Sequence, residues 1–460
     1  MIKNSARVIF LFVIACLHSC SGDKSAREHV TPVFTREIAP ILYANCSPCH
    51  RPGSGAPFNL ITYEDIRHRL KTLQLAINTR LMPPWPADTS YSRFIGEKVL
   101  TQEEINLLNE WFDAGGPEGN PADLPPPPEF TETSIHAKPD LVLQIRNPVM
   151  LPGDNKDKFL MLKIPFELPA DTFIRAIEIV PGNKKLVHHI NAHLVQYDSG
   201  KKKDHTRGKS YVDTELHDKR ESFELLDLPN DDGSYPLLTP SVSNYLPGVE
   251  VCFYPEGIGG YRVKKQSVLL LDNIHYGPTP VDTTDQTTFH VYFDKQPPKR
   301  PVREFILGTS GISPVMPPLV VPPDTIMKFV TSYRLPESIS LITVNPHMHL
   351  LGSSFKAYAI PPSGDTIPIV RIPQWDFRWQ YFYTFPKMMK LVAGTVMVVE
   401  GVYDNTVNNP LNPFYPPRTV AERDGSMRTT DEMFQLICTY LPYREGDEYI
   451  PLRPDEIIIP

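Results

Sequence analysis

The sequence predicts a mainly β protein, two consecutive antiparallel β-sandwiches preceded by a small α-helical module, and three observations carry that expectation. Proline supplies 50 of 460 residues, about 11% against an ordinary level of about 5%, without the glycine period of collagen. Proline suits turns and sheet edges but interrupts helix interiors, so the excess favours loop-rich β structure. From Leu141 onward come short apolar runs: Phe159 to Pro165, Phe173 to Val180, Val268 to His275, Phe289 to Phe293, Ile339 to Val344 and Val396 to Val402. Pro, Gly, Asn and Asp separate them, the punctuation of antiparallel sheets rather than of alternating strand and helix units. Helical patterning stands near the N-terminus, where Thr62 with Asp65 and Thr101 with Glu104 read as capping boxes. Roughly 150 residues per domain makes this length two to four domains. Hydrophobic residues at 41% and charged residues at 22% exclude a mostly disordered or polytopic membrane chain. With 53 acidic against 46 basic residues, net charge -7 and no long basic run, nucleic acid is not a partner.

Residues 1–20 read as an export signal of lipoprotein type. Lys3 and Arg7 precede the apolar run Val8 to Leu17, too short to span a bilayer but suited to secretion. Leu17-His18-Ser19-Cys20 resembles the lipobox of bacterial lipoproteins, with Cys20 as the acylated first mature residue and His18 as a departure. Ordinary cleavage without lipid is the alternative. Either way the compartment is extracytoplasmic, the periplasm or, for a lipoprotein, the outer membrane, and the membrane is touched only through a lipid anchor. Cys252 and Cys438 are far apart in sequence; whether they are bridged stays open.

Residues 30–118 form the helical module. Cys46-Ser47-Pro48-Cys49-His50 is a C-x-x-C-H pattern, in which two thiols bond the vinyl groups of a covalent haem c and the adjacent imidazole ligates its iron. No second CxxC completes a four-ligand zinc site. One expected helix opens at Thr62 with Ile66, Leu70, Leu73 and Ile77 on one face; another opens at Thr101, turns Ile105, Leu108 and Phe112 inward and stops at Gly115-Gly116-Pro117. Met82, in Leu81-Met82-Pro83-Pro84-Trp85, is the candidate sixth ligand, with His68 as competitor.

Residues 119–138 form a Pro-rich linker. Its eight residues Pro121 to Pro128 read as extended backbone spanning about 25 Å at roughly 3.1 Å per residue, a tether that keeps a haem donor near the β region without fixing a docked pose. The two sandwiches follow at 139–298 and 299–460, and Asp198 to Tyr245 interrupts the first as a polar surface loop with His205 and His217 solvated. His188 and His189 are adjacent in a strand, where neighbours point to opposite faces, so one ion takes both only at a bend or bulge. His193 lies about 13 Å from His189 at roughly 3.3 Å per residue and reads as structural. His275, near a strand end, completes a three-imidazole set. His347 and His349, at i and i+2, share one face, and Met433 follows two acids at a strand entrance. Imidazole with a soft thioether suits copper cycling through Cu(I).

With CSPCH, MPPWP, VHHI, HYG, HMHLLG, YDNTVNNPLNP and TDEM in place, the chain from about Phe34 to Tyr440 resembles the copper type II, ascorbate-dependent monooxygenases. These are the peptidylglycine alpha-hydroxylating and dopamine beta-monooxygenases, and the bacterial branch with a fused cytochrome c domain is most similar. The resemblance implies jelly-roll-like sandwiches with one copper ion each. It implies electron-transfer copper at His188, His189 and His275, and oxygen-activating copper at His347, His349 and Met433. It further implies hydroxylation of a small organic substrate by O₂, with electrons relayed through the haem and ultimately from ascorbate or another reductant. The animal members' many disulfides have no counterpart here beyond Cys252 and Cys438. A non-enzymatic haem and copper electron-transfer lipoprotein, serving a redox partner protein, is the alternative.

Overall fold

The computed structural model describes residues 30–130, 138–239, 241–247, 254–255, 257–423 and 428–452. The leader with Cys20, part of the linker, and Cys252 lie outside them. No helix among the described residues is long and apolar enough to cross a membrane.

Helices Ala39–Asn45, Tyr63–Arg67, Leu70–Asn78 and Gln102–Asp113 surround a core that includes Phe34, Leu42, Ile66, Ile77, Leu108 and Trp111. Both capping boxes form: Thr62 and Thr101 each accept the N–H three residues on, and Asp65 and Glu104 reach back to the cap, which satisfies two orphan donors at each helix start. The helix expected from Thr62 through Ile77 is two. Arg69 leaves helical geometry at φ -126 and ψ 10 just after His68 caps the first, and the Arg69 guanidinium donates to the Asp65 carbonyl at 2.7 Å. The freed helix end is thereby satisfied. Gly115 and Gly116, at φ 81 and φ 68, end the last helix in the left-handed region that favours glycine. The linker is not uniformly extended, because Pro121–Asp123 closes a 3₁₀ turn capped by the Asn120 side chain.

Strand dominates the rest. In the first β unit, Leu141–Gln144, Thr288–Phe293, Thr172–Val180 and Tyr261–Val263 form one antiparallel sheet; Tyr211–Asp213, Lys158–Glu167, Gln266–Tyr276, Val187–Gln196 and Leu237–Leu238 form the other. Their facing sides share a core that includes Leu162, Ile177, Ile190, Leu269 and Phe289. In the second unit the sheet Arg303–Gly308, Phe434–Pro442, Ile339–Met348 and Tyr383–Leu391 faces the sheet built on Ile326–Arg334, Val396–Asp404, Gly352–Ile360 and Ile367–Ile372. Leu341, Phe355, Val399, Phe434 and Leu436 lie between them.

Two stretches depart from expectation. Residues 198–245 are a folded lobe rather than a solvated loop: helix Lys219–Leu225 and Val212, Phe223, Leu226 and Leu228 cover the outer face of the larger sheet, against Met161, Val268 and Leu270. This cover explains the unbroken run Val268 to Leu271, because odd and even positions of that strand are both buried. It also buries His205, which bonds the Phe166 carbonyl at 3.2 Å and Gln266 at 3.0 Å. Secondly, the arm between the last two helices of the module leaves it. Ala87 and Phe94 join the core of the second β unit, Trp85 packs on Tyr381 and Tyr383 at ring distances of 5.1 and 5.5 Å, and Asp88 pairs with Arg371. The module is docked, not loosely tethered.

Candidate metal and haem sites

The CSPCH segment lies at a helix end. Cys46 caps Ala39–Asn45, and burial pushes its thiol up to about 12. His50 Nδ1 donates to the Phe58 carbonyl at 3.0 Å, and its ring lies 4.8 Å from that of Phe58. A proton held on Nδ1 leaves Nε2 as a free lone pair, the form that ligates iron. The CSPCH segment therefore fits a covalent haem. Met82 is half-buried and lines a small recess with Ile77, Trp85 and Leu100, which none of the motif residues enters. His68 is exposed beside Glu64. The loop after the motif touches both β units. A Cβ at Gly55 would collide with the Lys184 carbonyl, and Cys49 lies near enough to Tyr245 and Tyr381 for its charge to add to the burial that raises both phenols.

The first histidine set sits on a β-bulge. His275 pairs with His189, but the next residue, Tyr276, pairs with Val187, so His188 is the extra residue and turns away from the alternating pattern. The His188 and His189 rings then lie 4.7 and 5.1 Å from that of His275. Gly277 makes room, since a Cβ there would be 2.6 Å from His188 Nε2. His275 is fixed twice, by Phe159 stacked at 4.3 Å and 13° and by a bond from its Nε2 to Asp157 Oδ1 at 2.6 Å. Its Nδ1 is buried without a partner among the described residues. Asp157, His188 and His275 bring their potential ligand atoms within 4.8 Å of one another. Asp157 escaped the sequence reading. Burial, with His275 nearby, pushes His188 down to about 4, and burial holds His189 well below the ordinary range, so both are neutral lone-pair donors at neutral pH. His193 takes no part: it pairs with Asp272 at 3.1 Å and bonds the Thr239 carbonyl at 3.0 Å.

The second set forms where a ladder ends. His347 is in strand Ile339–Met348, His349 follows it, and their rings are 5.0 Å apart at 90°. The ladder pairs His347 with Gln435 and Met348 with Phe434, so the next step brings His349 opposite Met433. His349 Nδ1 donates to the Asp431 carbonyl at 2.9 Å. His347 Nδ1 donates to Gln380 Oε1, whose orientation is set because Gln380 Nε2 donates to the Phe377 carbonyl at 2.9 Å. Both imidazoles therefore present Nε2. Burial lowers His347, and burial with His347 nearby pushes His349 down to about 3. Beneath them Glu432, raised by burial to about 8, accepts the N–H groups of His349 and Leu351 at 3.0 and 2.8 Å.

The two sets face each other across Phe377. Its ring lies 6.1 Å from His189 and 5.8 Å from His349. The same loop places Arg378 near His188, Gln380 on His347 and Tyr381 under the Pro84 carbonyl at 2.6 Å. The donor sets suit copper: imidazoles in both, with Met433 one ladder step beyond Phe434, opposite His349, in the second.

Neither a family model nor a curated protein matches the chain. Among solved structures, that of infectious bursal disease virus Gx strain has a TM-score of 0.15 at 9% identity, covering 68% of this chain and 73% of that one. That of PNGF-II in a P21 crystal has 0.17 at 9% identity, covering 68% and 65%. At such scores neither likeness bears on the fold or the site.

Proposed function

We propose that this chain is a copper monooxygenase with covalent haem c, an exported lipoprotein that hydroxylates a small organic molecule with O₂. It would be of the copper type II, ascorbate-dependent kind, built on two jelly-roll-like sandwiches. The observation that carries the reading is the bulge at His188, a break in a strand ladder whose effect is to bring two adjacent histidines to one side of His275. His188, His189 and His275 would hold one copper ion, His347, His349 and Met433 the other, and Cys46, Cys49 and His50 the haem. When bound, these groups supply one-electron chemistry and activation of O₂.

The chain's own residues supply the rest. Gln380 and the Asp431 carbonyl keep the Nδ1 protons of His347 and His349 in place, so both present Nε2 without rearranging. Phe377, Phe159 and the buried strands keep water from the imidazoles. The docked arm and Tyr381 hold the CSPCH loop against both β units, so electrons have a route within one chain, and ascorbate, another reductant or a redox partner protein would reload the haem.

A second reading, a haem and copper electron-transfer lipoprotein without turnover, is favoured by one observation: the Phe377 ring fills the space between His189 and His349. Oxygen uptake by copper-loaded, haem-reduced full-length protein separates the two. Uptake that rises with a member of a small-molecule panel, in step with hydroxylated product, is expected; copper-loaded protein that consumes no O₂ with any member leaves the electron-transfer reading.

A further inference from the structure

The two histidine sets are held by chemically different partners. At the second set the ring Nδ1 atoms meet neutral oxygens, the Gln380 amide and the Asp431 carbonyl. At the first, His275 Nε2 meets a carboxylate oxygen of Asp157 at 2.6 Å. That length is a shared proton, too short to leave a metal ion between the two atoms, whose bonds to each would be about 2.0–2.2 Å. Asp157 is exposed, and an aspartate carboxyl in contact with water is an anion at neutral pH. A proton on Nε2 leaves Nδ1 bare, and Nδ1 is the atom buried without a partner among the described residues. Phe159 stacked at 4.3 Å keeps the ring from turning about to exchange them.

We propose that Asp157 is a positioning residue: through His275 it fixes which ring nitrogen faces the first metal site, and its charge favours Cu(II) over Cu(I) there. The inference rests on the copper reading above. A carboxylate behind an imidazole makes that ligand more basic and raises affinity for the more highly charged ion. Among the described residues neither ring of the second set is bonded to such an anion, and Met433 lies at the next ladder step, opposite His349, so the two sites differ in potential in the sense that sends an electron from the first to the second.

The test uses full-length protein carrying His347→Ala and His349→Ala, so that only the first site takes copper, compared with the same protein bearing Asp157→Asn, Asp157→Ala or Asp157→Glu. Cu(II) and Cu(I) affinities come from chelator competition, the potential from redox titration, and coordination from pulsed EPR. Asp157→Asn is expected to weaken Cu(II) binding ten- to hundredfold, with Cu(I) binding changed less than threefold and the coordinated nitrogens unchanged. The Cu(II)/Cu(I) potential then rises by about 59 to 118 mV, at 59 mV per decade for one electron. Asp157→Ala gives at least that shift, and Asp157→Glu restores most of it. Equal loss of both oxidation states, an unchanged potential, or loss of a coordinated oxygen in Asp157→Asn, which would make Asp157 a direct ligand, each overturns the proposal. Should the parent protein bind no copper with nitrogen coordination, the copper reading itself falls and this inference with it.

Discussion

The His188, His189 and His275 set and the His347, His349 and Met433 set solve one problem in opposite ways. A regular strand sends neighbours to opposite faces and repeats every second residue, which separates adjacent histidines and aligns those at i and i+2. The first set therefore needs a broken ladder, and one extra residue at His188 breaks it. The second keeps its ladder and takes what lies just past the end, His349 and Met433. Irregularity is confined to the place where the side-chain pattern requires it. Asp272 repeats the lesson on the same strand: the ladder slips there too, and the displaced carboxylate meets His193.

The comparison is broken most severely at the wall the two sets share. Phe377 is 5% exposed, and Phe377→Ala is expected to cost about 3 kcal/mol of stability through the cavity it leaves, measured by urea unfolding, and to disturb metal binding at both sets. A ligand deletion instead separates them. His349→Ala is expected to weaken Cu(I) binding at the second set at least a hundredfold, about 2.7 kcal/mol, while the first set keeps its copper; equal loss from both would show that they are not independent.

Smaller changes sharpen the contrast. Gln380→Leu removes the acceptor that fixes the His347 tautomer and should weaken copper at the second set by ten- to hundredfold, the range for an outer partner, with the first-set EPR signal unaltered. Glu304 lies near the His193 and Asp272 pair; burial pushes it up to about 7, with His193 pulling it down and Asp272 pushing it up. An acid raised in the folded state contributes stability that is intact below its unfolded value near 4.5 and is lost as pH rises through about 7. Glu304→Gln should therefore stabilise the fold on the order of 1 kcal/mol at pH 8, after allowance for solvent screening of a partly exposed group, and by far less at pH 5. A gain of the same size at both pH values would mean that charge is not the cause.

Much of this was legible in sequence because it is local. The strands containing Phe159, Phe173, Val268, Phe289, Ile339 and Val396 follow from short apolar runs, and both capping boxes follow from residues three apart. The requirement for a bulge at His188 could be stated from the strand period alone. What could not be read depends on register and on partners distant in the chain. Asp157 matters because Phe159 pairs with His275, and no spacing rule brings residue 157 to residue 275. Phe377 and Gln380 belong to a loop with no motif of its own. The lobe at 198–245 was misread because its polar composition hides the few apolar residues that cover the sheet. His68 and Arg69 carry no helix-breaking signal, so the break there was invisible.

The docked arm has a consequence for the order in which the protein is made. Asp88 meets Arg371 across 283 residues of chain, so this contact of the arm closes only on the last β unit. At roughly 5–20 residues per second of synthesis, about 14 to 57 seconds separate the appearance of the two partners. During that interval Trp85 and Phe94 have no aromatic surface to pack against. The four helices can assemble meanwhile around their own core, and the newborn chain carries an unfinished, sticky strap until its last quarter emerges.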